Sequence, residues 1–290
     1  MKFLSKFTIT AAIAVLSAAS GTAQAIEVTE TSALNDLESA LTAGNTGIVI
    51  NSISISGLLG QFGTYTNTSG VYGIGPGVVI SSGKVTNYSD GSNTSTGKST
   101  GFGNSQTAAQ KAILTPITGQ TNHFDVAQID IDFDLKAGFS SIFFNTVFGS
   151  EEFPQFVNTS FIDGFGLIIN GENIAFSGGL PVNINNPGFL ALPGTQLDGV
   201  LAPGGNPVVI FSKFLGDGSK GNKLTFIIAD TSDTVLDSTA YFSALGGAVP
   251  QPPKPVPVPP AVAGVFVAGG LLSRRLFKRT LKDQNIQETV

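Results

Sequence analysis

The sequence predicts a mainly β protein: an antiparallel β-sandwich of jelly-roll type with one short N-terminal helix, and a single apolar helix near the C-terminus. Three observations carry this expectation. Apolar residues between 26 and 250 recur mostly at period two, the repeat that puts alternate side chains on one face of a strand. These runs number about eight to ten, are short, and are separated by turn residues in a chain with 36 glycines. Only one stretch before residue 250 has the helical repeat. A β-helix is the runner-up architecture, but no fixed internal period supports it.

Taken in order, Thr31 to Leu41 reads as the helix, with Leu34, Leu37 and Leu41 on one face and Gly44 placed to end it. The period then changes to two at Ile48, Ile50, Ile53 and Ile55, and Val78 to Ile80 forms a second short strand. Ser81 to Asn122 is rich in Ser, Thr, Gly and Asn and reads as a long surface loop. Its Gly97-Lys98-Ser99-Thr100 invites a phosphate-loop reading. The first glycine of that motif belongs at residue 92, which is Ser, and no buried strand precedes it, so the reading fails. Ile129, Ile131 and Phe133 alternate with Asp130, Asp132 and Asp134, a half-buried strand with an acidic outer face. Ser141 to Phe148 is a fuller apolar strand. Phe165 to Ile169 and Asn173 to Phe176, joined by Asn170-Gly171, form a hairpin on the preferred two-residue turn. Val208 to Phe214, Leu224 to Ala229 and Thr239 to Leu245 supply three more strands.

The flanks of this domain carry address signals. Residues 1–25 read as a secretory signal peptide: Lys2 and Lys6, an apolar run from Phe7 to Ala19, and Ala23-Gln24-Ala25 as a cleavage pattern. Residues 251–260 are a stiff proline-rich spacer. Residues 261–280 form a sorting or transmembrane segment: 12 apolar residues, Ala261 to Leu272, and then Arg274, Arg275, Lys278 and Arg279. A basic cluster after an apolar run holds that side in the cytoplasm, leaving 281–290 as a cytoplasmic tail. Spacer, apolar segment and basic cluster together resemble the PEP-CTERM class of sorting tails. That resemblance implies membrane attachment through the C-terminal segment and an exosortase-type processing protease as partner.

Residues 26–250 hold seven lysines and no arginine against eighteen acids, a net charge of −11. Such a domain has no affinity for nucleic acid and favours cations. Without cysteine there is no disulfide framework, thiolate metal site or cysteine nucleophile. The one histidine, His123, falls after the polar loop and reads as solvated. No nucleophile-elbow pattern accompanies it, and with no tryptophan and four tyrosines the chain is poor in surfaces for stacking sugars. The expectation is a protein that is not an enzyme.

Two acidic groups stand out. Glu151 and Glu152 follow one strand and Asp163 opens the next, all beside phenylalanines in a chain that is only 12% charged. Asp230, Asp233 and Asp237 lie on the turn between two later strands. Strand ends gather at the rims of a sandwich, so the groups can converge, and converging carboxylates need a counter-charge. The expected site is a structural Ca²⁺ held by Glu151, Glu152, Asp163, Asp230 and Asp233, with Asp237 hydrogen-bonding backbone instead.

The stretch FGSEEFPQFVNTSFIDGFGLIINGENIA, with GIGPGVVISSG before it and IADTSDTVLDSTAYFSA after it, resembles the choice-of-anchor L domain of bacterial surface proteins over roughly Gly57 to Ala244. The resemblance implies an exported surface or matrix protein with a structural or adhesive role and no catalysis. The alternative is a Ca²⁺-dependent module that binds exopolysaccharide.

Overall fold

The computed structural model describes residues 26–44, 46–89, 97–192 and 195–249. The expected signal peptide, spacer, apolar C-terminal helix and basic tail lie outside the described residues. In chain order the elements are β1 (Glu27–Glu30), α1 (Leu34–Thr42), β2 (Ile48–Ser56), β3 (Phe62–Thr66), β4 (Gly77–Ser81), α2 (Ala108–Thr118), β5 (His123–Leu135), β6 (Ser141–Ser150) and β7 (Gly164–Ile169). The short strands β8 (Glu172–Asn173), β9 (Phe176–Ser177), β10 (Leu180–Pro181), β11 (Phe189–Ala191) and β12 (Gly199–Leu201) follow. β13 (Val209–Phe214), β14 (Asn222–Thr231) and β15 (Ser238–Ala248) complete the described chain.

These strands make two main antiparallel sheets and a separate two-stranded ribbon of β9 and β10. The larger runs β1-β3-β4-β15-β6; the far side of β6 is shared by β12, with β11 beyond it, and by β13. β12 pairs with the Gly149–Ser150 end of β6 and β13 with residues Ser141 to Thr146. The second sheet runs β2-β5-β14-β7-β8. Its pattern is the one the alternation demands: Ile129, Ile131 and Phe133 are buried, while Asp130 and Asp132 face outward to accept hydrogen bonds from Thr225 and Ser52. Lys223 and Lys220 pair with Asp132 and Asp134 on the same outer face.

The core lies between the sheets and is built largely of phenylalanine. Phe226 meets Phe242 across the gap at 4.3 Å between ring centroids, and Phe148 stacks on Phe165 at 5.6 Å. Each fully buried ring contributes about 1.5–3 kcal/mol of transfer free energy, which is why the sheets face each other through these positions. The structure is therefore a two-sheet antiparallel β-sandwich, not a β-helix. Helix α1 sends Leu37 and Leu41 into this core. The outer face of the larger sheet carries a second cluster that includes Tyr65, Tyr72, Tyr88 and Tyr241, all the tyrosines of the chain.

The hairpin forms as expected: Asn170 and Gly171 have φ of 51° and 84°, the two positive values a type I′ turn requires. The long surface loop expected over Ser81 to Asn122 does not. Ser81, Ser82, Val85 and Tyr88 are buried, and residues 108–118 form the second helix. Thr107 caps it through a reciprocal capping box with Gln110, and Gly119 ends it at φ 73°. The polar composition before Thr107 and Pro116 within the segment masked a helix whose Leu114 and Ile117 are buried. It lies against β7 because β7 begins with glycines there. A Cβ on Gly164 would come within 2.7 Å of Thr118, and one on Gly166 within 2.8 Å of Ile117.

Candidate functional site

The acidic groups occupy one rim of the sandwich, where β6 and β14 end and β7 and β15 begin. Ser150 pairs with Ser238, and the N–H of Glu151 donates to the carbonyl of Asp237 at 3.1 Å. Glu151 and Glu152 are both 1% exposed, in the turn that follows β6, and their carboxylates meet different partners.

Glu151 turns toward the tyrosine side. It accepts the N–H of Lys98 at 3.3 Å, and its charge helps raise the pKa of Tyr72, Tyr88 and Tyr241, behind the larger effect of their burial. Glu152 turns toward the space between the sheets. There it accepts a long hydrogen bond, 3.5 Å, from the N–H of Asp163. Burial, reinforced by the charges of Asp230 and Asp233, pushes its pKa up to about 9. Asp163 is fully buried; Thr231 N–H and the Ser238 hydroxyl donate to its two oxygens at 3.0 and 2.8 Å. Burial and the neighbouring Glu152 still hold its pKa well above the carboxylate range.

Asp230 differs from Asp163, whose two oxygens are both hydrogen-bonded. It sits at a bulge where the pairing of β14 with β5 shifts register, is 0% exposed, and neither carboxylate oxygen has a hydrogen-bond partner. The Ser82 hydroxyl is near enough only to soften the rise in pKa that burial and then Asp163 impose. Asp233 is farther out: its carboxylate accepts the N–H of Val235 and its pKa is raised mainly by burial.

Two more carboxylates complete the rim. Both oxygens of Asp237 accept the Thr100 N–H, at 2.9 and 3.1 Å, and burial pushes its pKa up to about 7. The carboxylate lies flat on Gly83, where a Cβ would sit 1.6 Å from Oδ2. Asp125 takes the N–H groups of Phe102 and Asn104 from a left-handed backbone, φ 49°. Sequence reasoning missed Asp125; it lies ahead of the Ile129 to Asp134 alternation, in the first residues of β5, and nothing local marks its conformation.

The structure thus brings Glu152, Asp163 and Asp230 together with Asp233 near them, and separates Glu151 from the expected set. Among the described residues no group of three or more His, Asp or Glu side chains is disposed to hold a metal ion. His123 also departs from expectation. It is 0% exposed on β5, with Thr118 Oγ1 at 2.9 Å from Nε2 and Gln106 Oε1 on Nδ1. Burial, and secondarily Lys111, lowers its pKa to about 4. The ring is a neutral strut between α2 and the segment before it.

A two-sheet antiparallel sandwich with buried carboxylates along one rim defines a β-module. Residues 25–187 match the family model of the choice-of-anchor L domain, and the chain belongs to that family. The matched span contains Glu151, Glu152 and Asp163 and stops before the Asp230 to Asp237 segment. No curated protein and no solved structure matches the chain. Membership implies an exported or cell-surface protein. No helix among the described residues is long and apolar enough to cross a membrane.

Proposed function

We propose that this chain is an exported, envelope-anchored surface or matrix protein with a structural or adhesive, non-catalytic role. The domain, jelly-roll in type, is carried at the envelope by residues 251–280 until an exosortase-type protease processes that tail. The observation that supports this best is the choice-of-anchor L match at residues 25–187 in a chain that also carries, from residue 251 onward, a proline-rich stretch, an apolar run and four basic residues. A non-catalytic role accords with the rim: Glu152, Asp163 and Asp230 are at most 1% exposed, so a substrate cannot reach them without opening the fold. The test is deletion of Ala261 to Val290. The shortened protein is expected in the medium; equal retention on cells refutes anchoring through the tail.

A second reading, Ca²⁺-dependent binding of exopolysaccharide, is favoured by one observation, the unpartnered carboxylate of Asp230. A hard cation there would supply the counter-charge this buried oxygen pair lacks. Asp230 would be joined by Glu152, Asp163 and Asp233 after their side chains turn toward it, and not by Glu151. Retention of the domain on exopolysaccharide in millimolar Ca²⁺, lost with chelator, is the expected result; binding indifferent to chelator refutes it.

A further inference from the structure

The two most exposed large apolar side chains among the described residues, Phe214 at 71% and Ile210 at 67%, lie on the same face of the same strand. That strand, β13, is an edge among the described residues: it pairs with β6 on one side and with no described strand on the other. Alternation along it separates two faces. Phe211 points into the core at 5% exposure, whereas Ile210, Ser212 and Phe214 point outward. Natural edges are usually blunted by charge, proline or a bulge. β13 has no proline, no bulge against β6 and a single charge, Lys213, which is neutralised by Glu172 at 2.6 Å.

We propose that β13 pairs edge to edge with β13 of a second copy of this chain, antiparallel, with Ser212 on the two-fold axis. The spacing selects this register. Antiparallel neighbours must lie on the same face to meet. With Ser212 opposite the partner's Ser212, Ile210 lies opposite the partner's Phe214, and Phe214 opposite the partner's Ile210. Two apolar cross-strand pairs then flank a small residue on the axis, so one patch serves both copies as a two-fold interface requires. A slip of two residues in either direction loses both of these pairs.

Charge points to the same place. A domain at −11 repels its own copy across most of its surface, but β13 carries no acid and its lysine is already paired. In this register Lys213 faces the partner's Phe211, so no like charges are directly opposed. A six-residue edge buries much less than the roughly 1,200–2,000 Å² of a stable interface. The pairing is therefore weak and reversible in dilute solution and needs trapping to be seen. It also extends the larger sheet from one copy into the next. This inference stands whether or not the tail anchors the protein.

The test uses the full chain, which contains no cysteine. Ser212→Cys is oxidised with copper phenanthroline and the products are separated without reductant. Ser54→Cys, exposed on β2 at the edge of the other sheet, is the control for random collision. Directly opposed Cβ atoms ~4.5–5.5 Å apart are close to disulfide range. A disulfide dimer is thus expected from Ser212→Cys at least roughly tenfold faster than from the control. Adding Phe214→Glu, or separately Ile210→Lys, to Ser212→Cys brings the rate down to that of the control; both side chains are exposed, so unchanged circular dichroism verifies folding. Cross-linking of Ser212→Cys no faster than Ser54→Cys, or a fast rate indifferent to Phe214→Glu and Ile210→Lys, overturns the proposal.

Discussion

Replacing Glu152 with Gln is expected to stabilise the domain at neutral pH. The side chain is 1% exposed, and its folded pKa of about 9 stands against a usual 4.5. The folded state therefore binds the proton more tightly than the unfolded state does. Stability is complete below about pH 4.5 and falls as pH rises toward 9, by about 1.4 kcal/mol per unit. At pH 7.5, three units above the unfolded value, the loss is about 4 kcal/mol for this group alone. Glutamine retains an oxygen for the Asp163 N–H and cannot ionise, so it removes that loss. Glu152, Asp163 and Asp230 also raise one another, so the variant relieves part of the strain on its neighbours. For a domain of this size, 4 kcal/mol corresponds to on the order of 10 °C in Tm. Denaturation of wild type and variant between pH 5 and 9 provides the assay. The two curves are expected to coincide near pH 5 and diverge steadily above it. Parallel curves across that range refute the buried-acid argument. Adding Ca²⁺ tests the counter-ion: if a cation occupies the rim, millimolar Ca²⁺ stabilises wild type at pH 8, has little effect at pH 5, and flattens the pH dependence.

Gly83→Ala is expected to cost about 3 kcal/mol, the upper part of the range for overpacking. Its Cβ would occupy the position of the Asp237 carboxylate, which cannot retreat without releasing the Thr100 N–H. The denaturation midpoint measures the loss, and a midpoint within 0.5 kcal/mol of wild type contradicts the packing. The single histidine permits a one-signal titration by NMR. His123 is expected to stay neutral until about pH 4. Because its folded pKa lies below its unfolded value, its contribution is present above about 6.5 and lost as pH falls toward 4. A midpoint near 6.5 contradicts its burial.

Much of the fold was legible because half-buried strands leave a period-two trace. Ile129/Asp130 through Phe133/Asp134 and the Asn170-Gly171 turn are written locally, since each residue's side of the sheet follows from its parity. Helix α2 was also local, in its Thr107/Gln110 cap and its Leu114 and Ile117 spacing, but a polar approach and Pro116 concealed it. The short strands β9 to β12 were not legible, because two or three residues carry no period.

The sequence by itself determined the strand alternation, the acidic balance of the domain and the presence of carboxylates at strand ends. Which carboxylates share a space was a tertiary decision. Glu151 and Glu152 are neighbours in sequence, yet in the turn after β6 one faces the tyrosines and the other the Asp163 backbone. Asp163 and Asp230, far apart in sequence, meet because β7 and β14 are paired, with Ala229 opposite Gly164. Burial then set the charge state. A carboxylate's affinity for its proton depends on solvent and on neighbouring charge, and neither is a property of the residue until the sheets have closed over it.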